Sequence, residues 1–457
     1  MAAYNQNILS IMKTNHGLLI TISATLAASF FTTITQAQTW DSVGNGTDKS
    51  INALYTFGGN LYAGGSFAHA GGVTASRIAQ WNGNNWQSVA SGISNAGVWS
   101  LGSNSSTLYA GGLFTKAGGN PANNIAELGS GVWSALGKGT NLIVYAMASY
   151  NGALYIGGGF DSAGGKHVGY IAEWDSSKWF QLGTGVNGYV QAMTVLNGVL
   201  YVGGSFDSAG GLPASGIAQW NGTTWKAVGS GVNGFVSSLL AYNNTLYVGG
   251  NFTKASEIEA NNIASWNGQN WSALGGGTDN NVAAIVAYPG GIYIGGQFEN
   301  AGGNAASHIA VWNGTAWSAL GEGANNNVVA LAVYNSTLYV AGQFDSAGGM
   351  AVNHIASYYV APTGINKVSR VGINASVFPN PSSGRFFFTL DNGESSPDDE
   401  KLQVDIYNIL GERVYSQASV VNTPLVVDMT NQTAGLYIYR VTGEQNEPIA
   451  CGRLVLK

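Results

Sequence analysis

Apolar and polar residues alternate along this chain in short runs, and the runs recur with a fixed period. An aromatic-Gly-Gly-Phe stretch is written LYAGGSF, LYAGGLF, LYIGGGF, LYVGGSF, LYVGGNF, IYIGGQF and LYVAGQF. Its phenylalanines are Phe67, Phe114, Phe160, Phe206, Phe252, Phe298 and Phe344, separated by 47 residues once and by 46 thereafter. A second stretch, Trp-Asn-Gly-x-x-Trp, follows each with small departures, as at Trp81/Trp86, Trp220/Trp225, Trp266/Trp271 and Trp312/Trp317.

Each unit predicts four short strands. They are a run such as VAAIVAY (282–288), the Tyr-Gly-Gly-Phe stretch, Ile-Ala-x-Trp (263–266) and Trp-Ser-Ala-Leu-Gly (271–275). All are rich in aromatic and aliphatic residues and are bounded by Gly and Asn clusters, as sheet segments are. Asn151-Gly152 and Asn267-Gly268 supply the positive φ values that tight hairpins require. Four antiparallel strands repeated at this period predict an all-β fold, a β-propeller with seven four-stranded blades over residues 38–362. An open solenoid fits less well, because the two ends of the repeat region complement each other. The region opens on a fourth strand without its first three (TWDSVG, from Trp40) and closes on three strands without a fourth (ending IASYY). Pairing the two completes a seventh blade with the N-terminal strand and hides the sheet edges an open array would expose. A buried aromatic ring removes ~150–250 Å² from water, roughly 4–6 kcal/mol before entropy costs. The default role of a motif Trp or Phe is therefore core packing.

Composition divides the chain. Residues 367–457 carry 18 charged side chains in 91, whereas residues 38–366 carry 21 in 329. The reading is a linker at 363–372 and a separate small antiparallel β-sandwich at 373–457. At the other end, Lys13 and His16 precede or flank an apolar run, Leu18 to Phe31, that ends near Thr35-Gln36-Ala37. This is the pattern of a secretory signal peptide at 1–37, with Met12 as an alternative start. The single cysteine, Cys451, forbids an internal disulfide.

The tail contains FPNPSSG (378–384), VDIYNILGERVY (404–415), AGLYIYRV (434–441) and a terminal LVLK (454–457), in that order. With these elements it resembles the type A C-terminal sorting domain of the type IX secretion system of Bacteroidota. The resemblance implies passage through the periplasm and an outer-membrane translocon, with the sorting machinery as partner. It also implies cleavage of the tail, and then release or attachment at the cell surface. The repeat units resemble glycine-rich kelch-type repeats of surface proteins, a likeness that brings no ligand with it.

Candidate chemistry is sparse. The net charge is −6 and no basic stripe is present, so nucleic acid is not an expected partner. The glycines at 157–159 belong to a strand motif and not to a phosphate loop. A copper oxidase of the galactose-oxidase kind needs a cysteine crosslinked to tyrosine, and the only cysteine lies in the tail. No cofactor and no metal site is expected, and the chain is expected to be a monomer.

The repeat localises the most promising face. Both Asn-Gly hairpins fall on one face, which leaves the two longer connections on the other, where ligands are most often met. The position before the first-strand valine (isoleucine in the first unit) is Ser50, Gly97, Ile143, Tyr189, Phe235, Asn281 and Asn327. The residue after that valine is Trp99 or Tyr145 in two units. These variable aromatics suit stacking on sugar rings or on a protein. The position before the third-strand isoleucine includes Arg77, Tyr170, His308 and His354. The two histidines lie in neighbouring units, about 10 Å or more apart by sheet stacking, too far to share a metal.

Asp161, Asp207 and Asp345 recur in Phe-Asp-Ser-Ala-Gly-Gly, where bonding to local backbone is the default. Weak calcium binding and O-glycosylation at Asp-Ser-Ala are alternatives, the latter resembling an acceptor pattern of Bacteroidota. Glu257 and Glu259 offer a carboxylate pair in the fifth unit only. The expected function is a secreted or surface-anchored binding or adhesion module for glycan or protein. The alternative is an extracellular carbohydrate-active hydrolase or lyase on the same scaffold. That alternative needs two convergent titratable groups at one end of the channel.

Overall fold

The computed structural model describes residues 38–104, 106–360, 374–391, 401–408, 412–420, 423–443 and 448–457. The signal-peptide segment at 1–37 and the linker at 363–372 lie outside the described residues. All regular structure among the described residues is β.

Residues 38–360 form seven four-stranded antiparallel sheets, an arrangement consistent with a β-propeller. Six sheets follow chain order, the first being Ile51–Phe57, Asn60–Gly65, Ile78–Trp81 and Trp86–Ser88. The seventh is ordered Gln38–Ser42, Ile355–Val360, Thr337–Gly342 and Val328–Tyr334. Its N-terminal strand pairs antiparallel with Ile355–Val360, Trp40 opposite Tyr358 and Ser42 opposite Ala356. The first strand of each sheet packs on that of the next, and Val328–Tyr334 packs on Ile51–Phe57. All seven first strands contribute to the lining of one cavity of about 230 Å³.

The core lies between consecutive sheets. One cluster joins Ile51, Leu61, Phe67 and Trp81 to Tyr334, Tyr339 and Ile355. Another joins Tyr150, Tyr155 and Ile171 to Val190, Leu200 and Trp225.

The Gly-Gly pair has a steric cause at each member. A Cβ on Gly157 would sit 2.3 Å from Val190 Cγ1 of the next sheet. A Cβ on Gly158 would sit 2.1 Å from the Ile143 carbonyl oxygen in its own sheet. The first glycine admits the neighbouring valine and the second admits the backbone of the adjacent strand.

The fourth-strand tryptophans link one sheet to the one before. Trp86 Nε1 donates to the Val43 carbonyl at 2.9 Å, Trp225 to Leu182 at 2.8 Å and Trp317 to Leu274 at 2.7 Å. Trp40 does the same for the seventh sheet, donating to the Leu320 carbonyl at 3.0 Å.

The connections between second and third strands hold regular structure that the sequence reading missed. Each carries a two-residue ribbon, such as Ser162–Ala163 paired with Lys166–His167. The preceding loop adds a bridge to it, Thr140 to Ala163 in that repeat. Strands of two residues are too short for periodicity to reveal.

The tail is two antiparallel sheets around one core. Asn374–Phe378, Arg385–Asp391 and Leu425–Asp428 form one, and Arg413–Val420, Lys401–Tyr407, Gly435–Thr442 and Pro448–Leu456 the other. Phe386, Phe388, Val404, Ile406, Val441 and Leu454 are buried between them. Phe387, between two buried phenylalanines, points outward as strand alternation requires.

Candidate functional site

Every first strand is irregular at the same place. Its pairing with the second strand shifts between Val144 and Ala146, between Val190 and Ala192, and at the equivalent residues of the other sheets. The unpaired residue is Tyr145, Gln191, Asn52, Ser237, Ala283 or Val329, and Trp99 in the second sheet. A β-bulge kinks the strand and re-aims the side chain of its extra residue. Trp99 and Tyr145 therefore project from bulges, and both line the central cavity. The sequence marked these positions as variable. The Gly-Gly pair was the available sign of the bulge, because the second glycine exists to admit it.

Four of the aromatic candidates, Trp99, Tyr145, Tyr189 and Tyr170, fall into one arc. Trp99 and Tyr145 meet edge to face, with ring centroids 6.0 Å apart at 90°. Tyr170 and Tyr189 lie 5.8 Å apart at 54°. A Cβ on Gly159 would stand 3.9 Å from the Tyr145 ring and 3.8 Å from the Tyr189 ring, so that glycine bridges the two pairs. Burial, and then the Tyr189 phenol, pushes the Tyr145 hydroxyl above its ordinary value. Trp99 is 43% exposed and Tyr189 49%. Phe235 is half-buried on the next sheet, paired in register with the exposed Asn251.

The opposite half of the rim carries amides. Asn327 Nδ2 donates to Gln343 Oε1 at 3.0 Å, and Asn281 Oδ1 accepts from Ser237 Oγ at 3.0 Å. Asn52 Nδ2 donates to the Val98 carbonyl at 3.2 Å. Three rim positions per sheet flank the bulge: the residue before the valine, the bulged residue, and the residue before the motif phenylalanine. None of these 21 residues is Asp, Glu, His, Lys or Arg. The convergent acid–base pair that hydrolysis requires is not found at these positions.

The position before the third-strand isoleucine is a different kind of place. Arg77, Asn124, Tyr170, Asn262, His308 and His354 have φ between 62° and 66°. The N–H groups of Arg77, Asn124, Asn262, His308 and His354 donate to the motif phenylalanine carbonyl, as His308 N does to Phe298 O at 2.9 Å. Asn and Gly, common here, tolerate that left-handed backbone. Arg77 Nε reaches the Ala96 carbonyl at 3.4 Å. His308 is 8% exposed, with Nδ1 3.3 Å from the Gly296 carbonyl oxygen and Nε2 3.4 Å from Glu299 Oε1. Burial pushes the His354 imidazole below its ordinary value, with Asp345 and Asp48 opposing. Of this group only Tyr170 joins the aromatic arc, through Tyr189. No group of three metal-ligating side chains occurs among the described residues.

The recurring aspartates hold loops together. Asp161, Asp207 and Asp345 accept from Asn141, Asn187 and Asn325 at 2.8, 2.6 and 2.6 Å. Each asparagine in turn accepts from ribbon N–H groups, as Asn141 Oδ1 does from Ser162 N at 3.1 Å. Glu259 pairs with Lys254 at 3.0 Å across its ribbon.

Residues 376–456 match the family model of the secretion system C-terminal sorting domain. This sorting domain marks the protein for export to a secreted or cell-surface location and for interaction with the type IX secretion machinery. The matched span lies inside the charged tail set apart by composition. No curated protein matches the chain. Among solved structures, an α-L-arabinofuranosidase of Clostridium thermocellum is similar over 61% of this chain and 94% of that one. The two are 13% identical, with a TM-score of 0.25.

Proposed function

We propose that residues 38–362 form a closed seven-bladed β-propeller of kelch-like units, with Gln38–Ser42 as the closing strand. In this reading the sorting domain delivers the propeller outside the cell as a non-catalytic binding module. The ligand meets the channel mouth at Trp99, Tyr145, Tyr189 and Tyr170, with Phe235 at the end of the arc. The observation that carries this is the uncharged rim, aromatic on one half and amide on the other. Such a surface stacks on apolar ring faces and exchanges hydrogen bonds with hydroxyl or amide groups, and it offers nothing to an ion. Neutral glycans fit it best. Arg77, His308 and His354 support the rim and do not contact the ligand. The test is a titration of neutral oligosaccharides, in which affinity is unchanged between low and high salt. Loss of affinity as salt rises would contradict an uncharged site.

A further inference from the structure

A second cavity, of about 420 Å³, opens at the edge of the third sheet and shares no lining residue with the central one. Lys138, Lys166, Lys178, Trp174, Trp179 and Phe180 line it, and no carboxylate does. The segment from 38 to 360 has eight lysines and arginines in all, and three of them meet here.

The fold does not ask for lysine at these places. The residues equivalent to Lys138 are Asn45, Ser91, Thr184, Ser230, Gly276 and Glu322. Those equivalent to Lys166 are Val73, Asn120, Leu212, Ile258, Asn304 and Met350. Lys178 and Phe180 are likewise alone among their counterparts, which include Asn85, Thr224 and Asn270 for the first and Gln87, Ser272 and Ser318 for the second. At the three lysine positions the other six repeats carry uncharged or acidic residues, and at the Phe180 position none carries a ring (Lys226 stands there in the fourth repeat). The three ammonium groups and the added ring are therefore features of this repeat only.

The cavity is arranged to keep both characters accessible. Trp179 spends its Nε1 proton on the Leu136 carbonyl at 3.0 Å, which leaves the indole half-buried in the wall. Phe180 is 40% exposed, and the Lys178 ammonium stands 4.9 Å from its ring centroid. Asp175, at the adjoining turn, is turned to the backbone: its Oδ1 accepts from Ser177 N and Lys178 N, both at 2.8 Å. Its carboxylate is engaged by the turn, where the Ser177 hydroxyl and, of the three cavity lysines, only Lys178 hold it below its ordinary value.

We propose that this cavity binds an anionic saccharide, a sugar ring against the Trp179–Phe180 wall with its carboxylate, sulfate or phosphate between Lys138, Lys166 and Lys178. Like-charged side chains brought together in a charge-poor protein gain from an anion, and a ring beside them favours an anion carried on a sugar over a free one. The site is separate from the channel mouth, so the protein would hold a neutral and an acidic ligand at once.

The experiment is calorimetric titration of the full chain with tetragalacturonic acid, its fully methyl-esterified form, and inorganic phosphate. Tetragalacturonic acid is expected to bind, more weakly as salt rises, and the neutral ester is expected not to compete. Lys138→Ala with Lys166→Ala should weaken it about tenfold or more, as loss of charge-assisted contacts does. Phe180→Ser, which restores the residue of the sixth repeat, should weaken it less. Trp99→Ala with Tyr189→Ala should leave it unchanged. The proposal is overturned if no binding is seen, if the lysine variants bind equally well, or if phosphate displaces the saccharide at equal concentration.

Discussion

Trp40 Nε1 donates to the Leu320 carbonyl oxygen at 3.0 Å, across 280 residues of sequence. Trp86 to Val43 and Trp317 to Leu274 make the same contact across 43 residues. The N-terminal tryptophan thus does for the seventh sheet what the repeat does locally for the others. If the sheets close into a ring through this strand, Trp40→Phe should cost about 1 kcal/mol, the worth of one hydrogen bond. Deleting residues 38–46 should remove cooperative unfolding of the repeats altogether. Urea denaturation followed by tryptophan emission reads both, and a truncated chain that unfolds at the parent midpoint would rule closure out.

The second glycine of each pair admits the first-strand bulge. Gly158→Ala places a methyl 2.1 Å from the Ile143 carbonyl, a contact with backbone that cannot rotate away. A loss of about 3 kcal/mol is expected, at the upper end of overpacking costs. Gly152→Ala, with no atom near the added carbon, carries only the strain of its positive φ and should cost about 1 kcal/mol. Equal losses in the two variants would show that the bulge does not depend on that glycine.

His354 gives the repeats a weak point in acid. Its folded value is depressed by burial, so the unfolded chain binds the proton more readily. That contribution to stability is complete above the ordinary value of 6.5 and declines as pH falls below it. His354→Asn restores the residue that Asn124 and Asn262 present at the same backbone conformation, φ 64° in both. The variant should lose less stability than the parent between pH 7.5 and pH 5.5, measured by thermal unfolding.

The repeat, the strand order within each unit and the tail were legible in the sequence because they rest on period and on Gly, Asn and Trp placed at fixed intervals. The offset ends predicted only that the strand from Trp40 would pair with the one ending IASYY; that Trp40 stands opposite Tyr358 is set by the register. What was not legible came from shorter range or longer reach. Two-residue ribbons leave no periodic trace. The asparagine that holds Asp161 sits 20 residues upstream, at Asn141. Variability flagged Tyr170 and His308 alike, yet one ring enters the arc and the other is buried beside Glu299. Their backbones are alike, and the neighbour differs: Tyr170 meets Tyr189, whereas the residue equivalent to Tyr189 after His308 is Asn327. The lysine cavity escaped notice because Lys138, Lys166 and Lys178 are 28 and 12 residues apart in sequence and each alone looks like a solvated side chain.

The channel-mouth reading is tested most directly by the affinity of the parent and of a Trp99→Ala, Tyr189→Ala variant for a panel of neutral glycans. Losing two stacked rings should lower affinity for any bound glycan by about a hundredfold, at roughly 1–1.5 kcal/mol per aromatic contact. The unfolding temperature should hardly change, because both side chains are more than two-fifths exposed. A panel bound equally well by parent and variant, or bound by neither, would contradict the assignment of the ligand to this mouth.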